Sequence, residues 1–119
     1  MQACREIMYM SVVLKHADRF NTGYPDMTVT WSHATSWWEV KFYDNEMFDA
    51  PQLQHLTCRR LAAQGTCYYV IYERRHDVRL TRIVAPKDLD TWAQSKHVAK
   101  GFHHHWVAEF ISHSHLNVG

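Results

Sequence analysis

Two acidic residues and a lysine lie on two neighbouring apolar runs of this sequence. Asp26 stands at the start of the run Met27–Trp31, and Glu39 and Lys41 lie two positions apart inside the run Trp37–Tyr43. Both runs are rich in aromatic and β-branched residues, and a short polar segment separates them, which predicts a β-hairpin. Side chains two positions apart in a strand project from the same face. Glu39 and Lys41 are therefore expected to project together, near Asp26.

Charged groups among so many apolar neighbours need compensation, because burying an unpaired charge is unfavourable. Two carboxylates on adjacent strands form a hard oxygen site suited to Mg²⁺ or Mn²⁺, which bind one or two carboxylates together with waters and phosphate oxygens. A lysine beside them can orient a water molecule and offset charge on a phosphate. The alternative is an ordinary cross-strand ion pair between Glu39 and Lys41, with Asp26 as a turn residue.

A known nuclease signature resembles this arrangement. Pro25-Asp26, a spacer and then Glu39–Lys41 resemble the PD-(D/E)XK motif, and the segment Arg19–Asp26 is similar to the R-x-N-S-G-x-P-D motif of VRR-NUC modules and related Holliday-junction-resolvase-like nucleases. Thr22 stands where serine is usual. The resemblance covers nearly the whole chain. It implies an α/β fold of the restriction-endonuclease-like kind, with a mixed central β-sheet of about five strands flanked by α-helices.

The resemblance also implies a set of metal ligands. Asp26 and Glu39 would hold Mg²⁺ or Mn²⁺, and the backbone carbonyl of Val40 would be a further ligand. Related folds often place another carboxylate on the first helix, where Glu6 is the candidate. An exposed glutamate on a helix surface is the alternative for Glu6.

Two further catalytic roles follow from the same resemblance. Lys41 would position or activate the attacking water, and a glutamine in the first turn of the next helix would assist it. Gln54 is the best match for that glutamine and Gln52 the second choice. An amide can orient a water or a phosphate oxygen, although a solvated helix residue is the equally simple interpretation.

Length and composition predict one folded domain, residues 1–119. The chain has 119 residues, of which 46% are hydrophobic and 13% aromatic, as in a globular protein with a single core. No apolar run approaches the length of a membrane span, so no membrane association is expected. The segment Met1–Glu6 lacks the charged-then-apolar layout of a secretory signal, which predicts a cytoplasmic protein. The three cysteines form no CxxC pair and are expected to be reduced.

Charge is distributed unevenly along the chain. The formal net charge of +1 gives no general attraction to nucleic acid. Arginines nevertheless cluster in the second half, whereas acids lie in and just after the proposed site. A basic surface beside an acidic metal pocket suits phosphodiester cleavage. Arg79 and Arg82 could face phosphates, although an edge strand also carries arginine simply to block aggregation.

Turn signals and periodicity predict the elements after the hairpin. A helix over Gln52–Gln64 opens after Pro51 and ends at Gly65. The apolar run Cys67–Tyr72 predicts a buried strand parallel to a strand of the hairpin, and Asp77–Val84 alternates as a half-exposed neighbouring strand.

The two ends of the chain are less regular. Apolar spacing predicts a helix over Ala3–Val12, and Val12–Lys15 can extend as a strand. A further helix is predicted over Pro86–Lys100. Its apolar face would comprise Leu89, Trp92, Ala93 and Val98.

Histidines concentrate near the C-terminus and invite a zinc interpretation. They are His103, His104, His105, His113 and His115. Adjacent histidines on a helix point in different directions, and no nearby cysteine or carboxylate completes an obvious ligand set. Surface polar residues are the preferred interpretation.

The predicted function is metal-dependent endonuclease cleavage of DNA, with junctions, flaps and nicks among the candidate substrates. Two alternatives stay open at this point: a catalytically silent nucleic-acid-binding module of the same fold, and an RNA-processing nuclease.

A homodimer is expected, because cutting two strands needs two sites in a fixed relation and most oligomers are two-fold. Apolar residues late in the chain offer surface for it; these are Trp92, Phe102, Trp106, Val107, Phe110 and Ile111. Light scattering coupled to size exclusion at micromolar concentration should report twice the monomer mass. A monomer mass that persists with uncleaved DNA and Ca²⁺ would contradict it.

Overall fold

The computed structural model of the chain describes residues 2–8, 11–15, 25–32, 34–44 and 52–116. These residues form a mixed α/β fold with a six-stranded mixed sheet, three α-helices and one 3₁₀ helix. In chain order the elements are α1 (Gln2–Ile7), β1 (Val12–Lys15), β2 (Met27–Trp31), β3 (Ala34–Asp44), α2 (Gln52–Gln64), β4 (Thr66–Arg75), β5 (Val78–Val84), the 3₁₀ helix (Pro86–Gln94), β6 (Val98–Lys100) and α3 (His104–Leu116). Among the described residues, no helix is both long and apolar enough to cross a membrane.

The strands lie in the sheet in the order of the sequence, from β1 to β6. β2 and β3 form the predicted antiparallel hairpin. β4 lies parallel to β3, as predicted, because α2 carries the chain back across one face of the sheet. β5 and β6 then add antiparallel strands, giving six strands where about five were expected.

Each face of the sheet carries its own apolar core. α1 and α3 pack together on one face, over a cluster that includes Trp38, Val70 and Ile111. α2 and the 3₁₀ helix cover the other face, over Tyr69, Ile71 and further apolar residues. Alternation along β3 sends Trp38 and Val40 toward α1 and α3, and sends their odd-numbered neighbours toward α2. For brevity, these two sides of the sheet are called the α3 face and the α2 face.

The helix α2 has the boundaries that the sequence predicts. It begins at Gln52, directly after Pro51, and ends at Gln64. The amide of Gly65 donates to the carbonyl of Leu61 at 2.9 Å, closing the last turn. The strong proline and glycine signals explain why this helix could be predicted.

The predicted helix over Pro86–Lys100 is wrong in its second half. A 3₁₀ helix ends at Gln94, Thr91 inside it is already non-helical, and Val98–Lys100 forms β6. β6 pairs with the edge of β5, where its backbone groups satisfy donors and acceptors that a helix would leave open. The pairing of this segment with β5 therefore outweighs its helical apolar pattern. Val98, which was predicted to lie on the apolar face of a helix, is exposed.

The predicted first helix is also too long. α1 ends at Ile7, and Met8 is buried just beyond it. The proposed strand Val12–Lys15 is confirmed as β1, which pairs with β2. Pairing with the hairpin explains why the apolar pattern switches from helical to extended here.

The apolar residues late in the chain mostly close the core. Val107 and Ile111 are buried, and Trp106 and Phe110 pack partly buried against the same cluster. Phe102 is 39% exposed. This removes most of the spare apolar surface on which the expected homodimer depends.

A buried histidine joins α3 to the hairpin. His115 donates from Nδ1 to the carbonyl of Trp31 at 2.9 Å, and its Nε2 lies 2.7 Å from Ser36 Oγ. Trp38 Nε1 donates to the same Ser36 oxygen at 2.7 Å. The Trp31 carbonyl can only accept, so Nδ1 of His115 is the donor in that contact. This network fixes the last turn of α3 against β2 and β3.

Replacing His115 should therefore destabilise the fold. His115→Ala removes the donor to the Trp31 carbonyl and one partner of the buried Ser36 hydroxyl, and we expect the free energy of unfolding to fall by about 2 kcal/mol. Urea unfolding followed by circular dichroism measures it. The control is His113→Ala on the exposed side of α3, expected to change stability by less than about 0.5 kcal/mol. Equal effects of the two substitutions would contradict a structural role for His115.

Candidate active site

The hairpin register brings Asp26 beside Glu39. Met27 pairs with Trp38, so Asp26, one residue earlier, lies opposite Glu39 at the start of β2. The amide of Val40 donates to Asp26 Oδ2 at 3.1 Å, which fixes the carboxylate against β3. Pro25 is buried immediately before it. The Pro-Asp pair thus directly precedes β2, and the hydrogen bond from Val40 sets the position of the carboxylate.

Glu39 is a buried carboxyl group in the middle of the sheet. Its residue is 1% exposed, and it lies on the α2 face with Tyr69 of β4 in register beside it. Its carboxyl hydrogen-bonds to that of Asp26. Glu39 Oε2 has no hydrogen-bond partner among the described residues. A buried oxygen without a donor is unfavourable, so this atom is suited to a ligand.

The protonation of Glu39 reflects these neighbours. Burial, the hydrogen bond to Asp26 and the charge of Asp26 together raise the pKa of Glu39 to about 9, whereas the charge of Lys41 opposes the shift. Two carboxyl groups in contact cannot both ionise easily without a cation. At neutral pH the metal-free pair therefore retains a proton.

Lys41 lies on the same face as Glu39, two residues along β3. It is partly buried, and Ile71 of β4 is its register partner. Its positive charge lowers the pKa of both Glu39 and Cys58. The structure thus brings together the three residues that the sequence predicts, Asp26, Glu39 and Lys41.

The backbone amide of Val40 faces the Asp26 carboxylate, and the role of the Val40 carbonyl as a metal ligand stays a prediction. The carbonyl of the same residue lies along the same edge of β3. Continuing the register puts Pro25 opposite Val40, and proline has no amide hydrogen to donate. The side chain of Val40 packs on the α3 face and takes no part in the site.

Three residues behind the carboxyl pair were missed by the sequence analysis. Cys58 of α2 and Cys67 and Tyr69 of β4 belong to the α2-face core, and the charge of Glu39 raises the pKa of Cys67 and of Tyr69. A hydrogen bond from Cys67 lowers the pKa of the Cys58 thiol to about 7 against the effect of burial, and Tyr69 and Lys41 add to the lowering. The same contact raises the pKa of Cys67, while burial raises that of Tyr69. The helical spacing of Cys58 with Leu61 and Ala62 predicts that Cys58 faces the sheet. The sequence near Cys58 does not predict which residues of the sheet α2 covers.

Other predicted site residues lie outside the described parts. The backbone of Glu6 is in α1 and that of Gln52 and Gln54 in the first turn of α2, but their side chains are not among those described. The motif segment 19–24 lies outside the described residues as well. The parts assigned to Glu6 and Gln54 stay predictions.

The described residues contain no group of three or more His, Cys, Asp and Glu side chains arranged to hold a metal. A carboxylate pair is still compatible with Mg²⁺, which takes one or two carboxylates and completes its shell with waters and phosphate oxygens. The donor set of Asp26, Glu39 and the Val40 carbonyl is all oxygen, as a hard cation requires. A cavity of about 470 Å³ between β5, the 3₁₀ helix and Phe110 lies elsewhere and contains neither carboxylate.

The raised pKa of Glu39 predicts how stability depends on pH. The folded protein keeps a proton that the unfolded chain loses above the ordinary carboxyl value of 4.5. This contribution to stability is full below about pH 4.5 and is lost as the pH rises toward about 9. For the metal-free protein, urea unfolding should show a loss of up to about 1.4 kcal/mol per pH unit in this window.

Glu39→Gln should flatten that profile, because the amide carries no titrating proton. Glu109→Gln, at an exposed position of α3, is the matched control and should leave the profile unchanged. Parallel pH profiles for the wild type and Glu39→Gln would show that Glu39 titrates normally.

Comparison with known proteins adds no relative to this geometry. No family model matches the chain, and a search of curated proteins finds no match. The functional interpretation therefore depends on the motif residues and on where the structure places them.

Proposed function

We propose that this protein is a Mg²⁺- or Mn²⁺-dependent endonuclease that hydrolyses DNA phosphodiester bonds. The observation that carries the proposal is the contact between Asp26 and the buried Glu39, one of whose oxygens has no hydrogen-bond partner among the described residues. Two carboxyl groups pushed together in a buried place are unfavourable without a cation. Lys41 beside them, on the same face, favours a negatively charged substrate.

The finer fold assignment belongs to the same proposal. We assign the sheet to the restriction-endonuclease-like arrangement, with the motif on a hairpin followed by a helix and a strand. In support, β2 and β3 carry Asp26, Glu39 and Lys41, α2 follows, and β4 returns parallel to β3. That order is the one the resemblance implies.

Each residue of the site has a chemical role in the proposal. Asp26 and Glu39 hold the cation, with the Val40 carbonyl as a further oxygen donor. A bound Mg²⁺ supplies Lewis acidity and lowers the pKa of water. Lys41 orients the attacking water and offsets the negative charge that grows on the phosphate. The hydrogen bond from Val40 to Asp26 keeps that carboxylate in position before substrate binds.

Removing either carboxylate should abolish cleavage while leaving the fold intact. Asp26→Ala and Glu39→Ala are each expected to reduce the rate of plasmid nicking by at least about 100-fold, because cation binding and charge stabilisation are lost together. The melting temperature should stay the same or rise, since the repulsion within the pair is relieved. Glu109→Ala removes an exposed carboxylate from α3 and should cut normally.

The dependence of nicking on the metal ion tests the same proposal. Nicking should need Mg²⁺ or Mn²⁺ and be weak with Ca²⁺, which fits an octahedral hard-ligand site poorly as a catalytic ion. DNA and RNA substrates assayed side by side separate the DNA nuclease from the RNA-processing alternative. Near-normal turnover by either carboxylate variant, or full activity in excess EDTA, would end the proposal.

A further inference from the structure

The hairpin formed by β4 and β5 carries four arginines, which differ in how their guanidinium groups are used. Arg74 donates to both carboxylate oxygens of Asp44, at 2.9 and 2.6 Å. Arg82 is largely buried, lies 3.5 Å from Glu73 Oε2 and donates to the carbonyl of Ser95 at 3.1 Å. These two arginines are engaged within the protein. Of the two arginines that could face phosphates, Arg82 is therefore engaged within the protein.

The other two arginines of the hairpin lie over aromatic rings. The guanidinium of Arg75 is 5.2 Å from the ring centre of Tyr43, and that of Arg79 is 5.6 Å from the ring centre of Phe102. A cation–π contact uses the face of the guanidinium and leaves its in-plane N–H groups pointing outward. Both arginines are exposed, and neither is paired with a carboxylate of the described residues. They are held in place with their donors available.

Arg75 and Arg79 lie on opposite faces of the hairpin tip. Arg79 pairs in register with Arg74, so these two share the α3 face, and Arg75, the next residue of β4, points to the α2 face. The turn His76-Asp77 closes the hairpin, with His76 at a φ of 55°. The exposed tip therefore presents one donor-rich cation on each side of a two-stranded ribbon.

The Arg75 side of the tip belongs to the face that carries the candidate active site. Tyr43, beneath Arg75, lies two residues beyond Lys41 on β3, a distance of about 7 Å along the strand. This is on the order of the distance between consecutive phosphates of one DNA strand, which exceeds the axial rise of roughly 3.4 Å because the backbone winds around the axis. A strand whose scissile phosphate lies at Glu39 and Lys41 would bring a neighbouring phosphate within reach of Arg75.

We propose that the tip of the β4–β5 hairpin binds duplex DNA, with Arg75 on the backbone of the strand being cut and Arg79 on the backbone of the opposite strand. The choice of DNA as the occupant rests on the proposed function. A two-stranded β-ribbon fits the major groove, and guanidinium groups match phosphate oxygens. The net charge of the whole chain is only +1, so it attracts DNA little. Arg75 and Arg79 at the hairpin tip provide positive charge locally, where the substrate would bind.

Binding of a labelled duplex oligonucleotide, followed by fluorescence anisotropy in EDTA, tests the contact without cleavage. Over KCl from about 0.05 to about 0.2 M, Arg75→Gln and Arg79→Gln should each reduce the slope of log K against log salt by about 0.9, and the double variant by about twice that. Each single variant should bind about tenfold more weakly at the middle of this range.

Two control variants show whether a smaller slope comes from the loss of these two arginines or only from a change in the net charge of the protein. Lys96→Gln removes one exposed cation at the opposite end of β5, and the pair Asp44→Asn with Arg74→Gln removes the engaged arginine at unchanged net charge. Both should leave the slope within about 0.3 of the wild type, because neither removes a phosphate contact. Single-stranded DNA has no opposite strand for Arg79 to contact. On that substrate the slope of log K against log salt should therefore fall no further in the double variant than in Arg75→Gln alone.

The outcomes distinguish this inference from the proposed function. Slopes for Arg75→Gln and Arg79→Gln that match Lys96→Gln would overturn the hairpin contact, even if Mg²⁺-dependent nicking is present. An equal loss for both arginines on single-stranded DNA would overturn the two-backbone arrangement, and tighter binding to RNA or to an acidic peptide would overturn duplex DNA as the occupant. The expected slopes without any nicking would support the hairpin contact and leave a binding module in place of a nuclease.

Discussion

A buried carboxyl pair at the centre of the sheet is the constraint on which the candidate site depends. Glu39 is almost completely buried in the sheet, and its carboxyl is in contact with that of another acid, Asp26. Such a pair opposes folding unless it keeps a proton or gains a cation. The surrounding structure holds it in place all the same: the Val40 amide fixes Asp26, and Pro25 sets the start of β2. A bound cation would relieve this repulsion.

Three titratable residues of the α2-face core have pKa values that are shifted by burial, by one another and by the carboxyl pair. Cys58, Cys67 and Tyr69 form a polar cluster where α2 crosses β4, and their ionisation is linked to that of Glu39. Lys41 is the compensating charge among these neighbours. A cation at Asp26 and Glu39 would therefore also favour the ionised forms of these neighbours.

Local signals account for the parts of the fold that could be predicted. Pro51 and Gly65 bound α2, and the β-branched and aromatic runs define β2, β3 and β4, so the hairpin and the parallel return of β4 follow from the sequence. Long-range pairing decides the rest. Val98–Lys100 becomes a strand because the edge of β5 lies beside it, and His115 is buried because α3 lies on β2 and β3. The position of Cys58 beside Glu39 likewise depends on a register between distant segments, which composition and periodicity do not contain.

The most direct test of the central claim is the pKa of Glu39 itself, followed by NMR of its carboxyl carbon as the pH is raised with and without Mg²⁺. Without a divalent cation the carboxyl should titrate near pH 9, because burial and Asp26 both disfavour its charge. With saturating Mg²⁺ the pKa should fall below neutrality, because the cation favours the ionised form. A Glu39 that titrates near the ordinary carboxyl value of 4.5 and does not respond to Mg²⁺ would contradict the account.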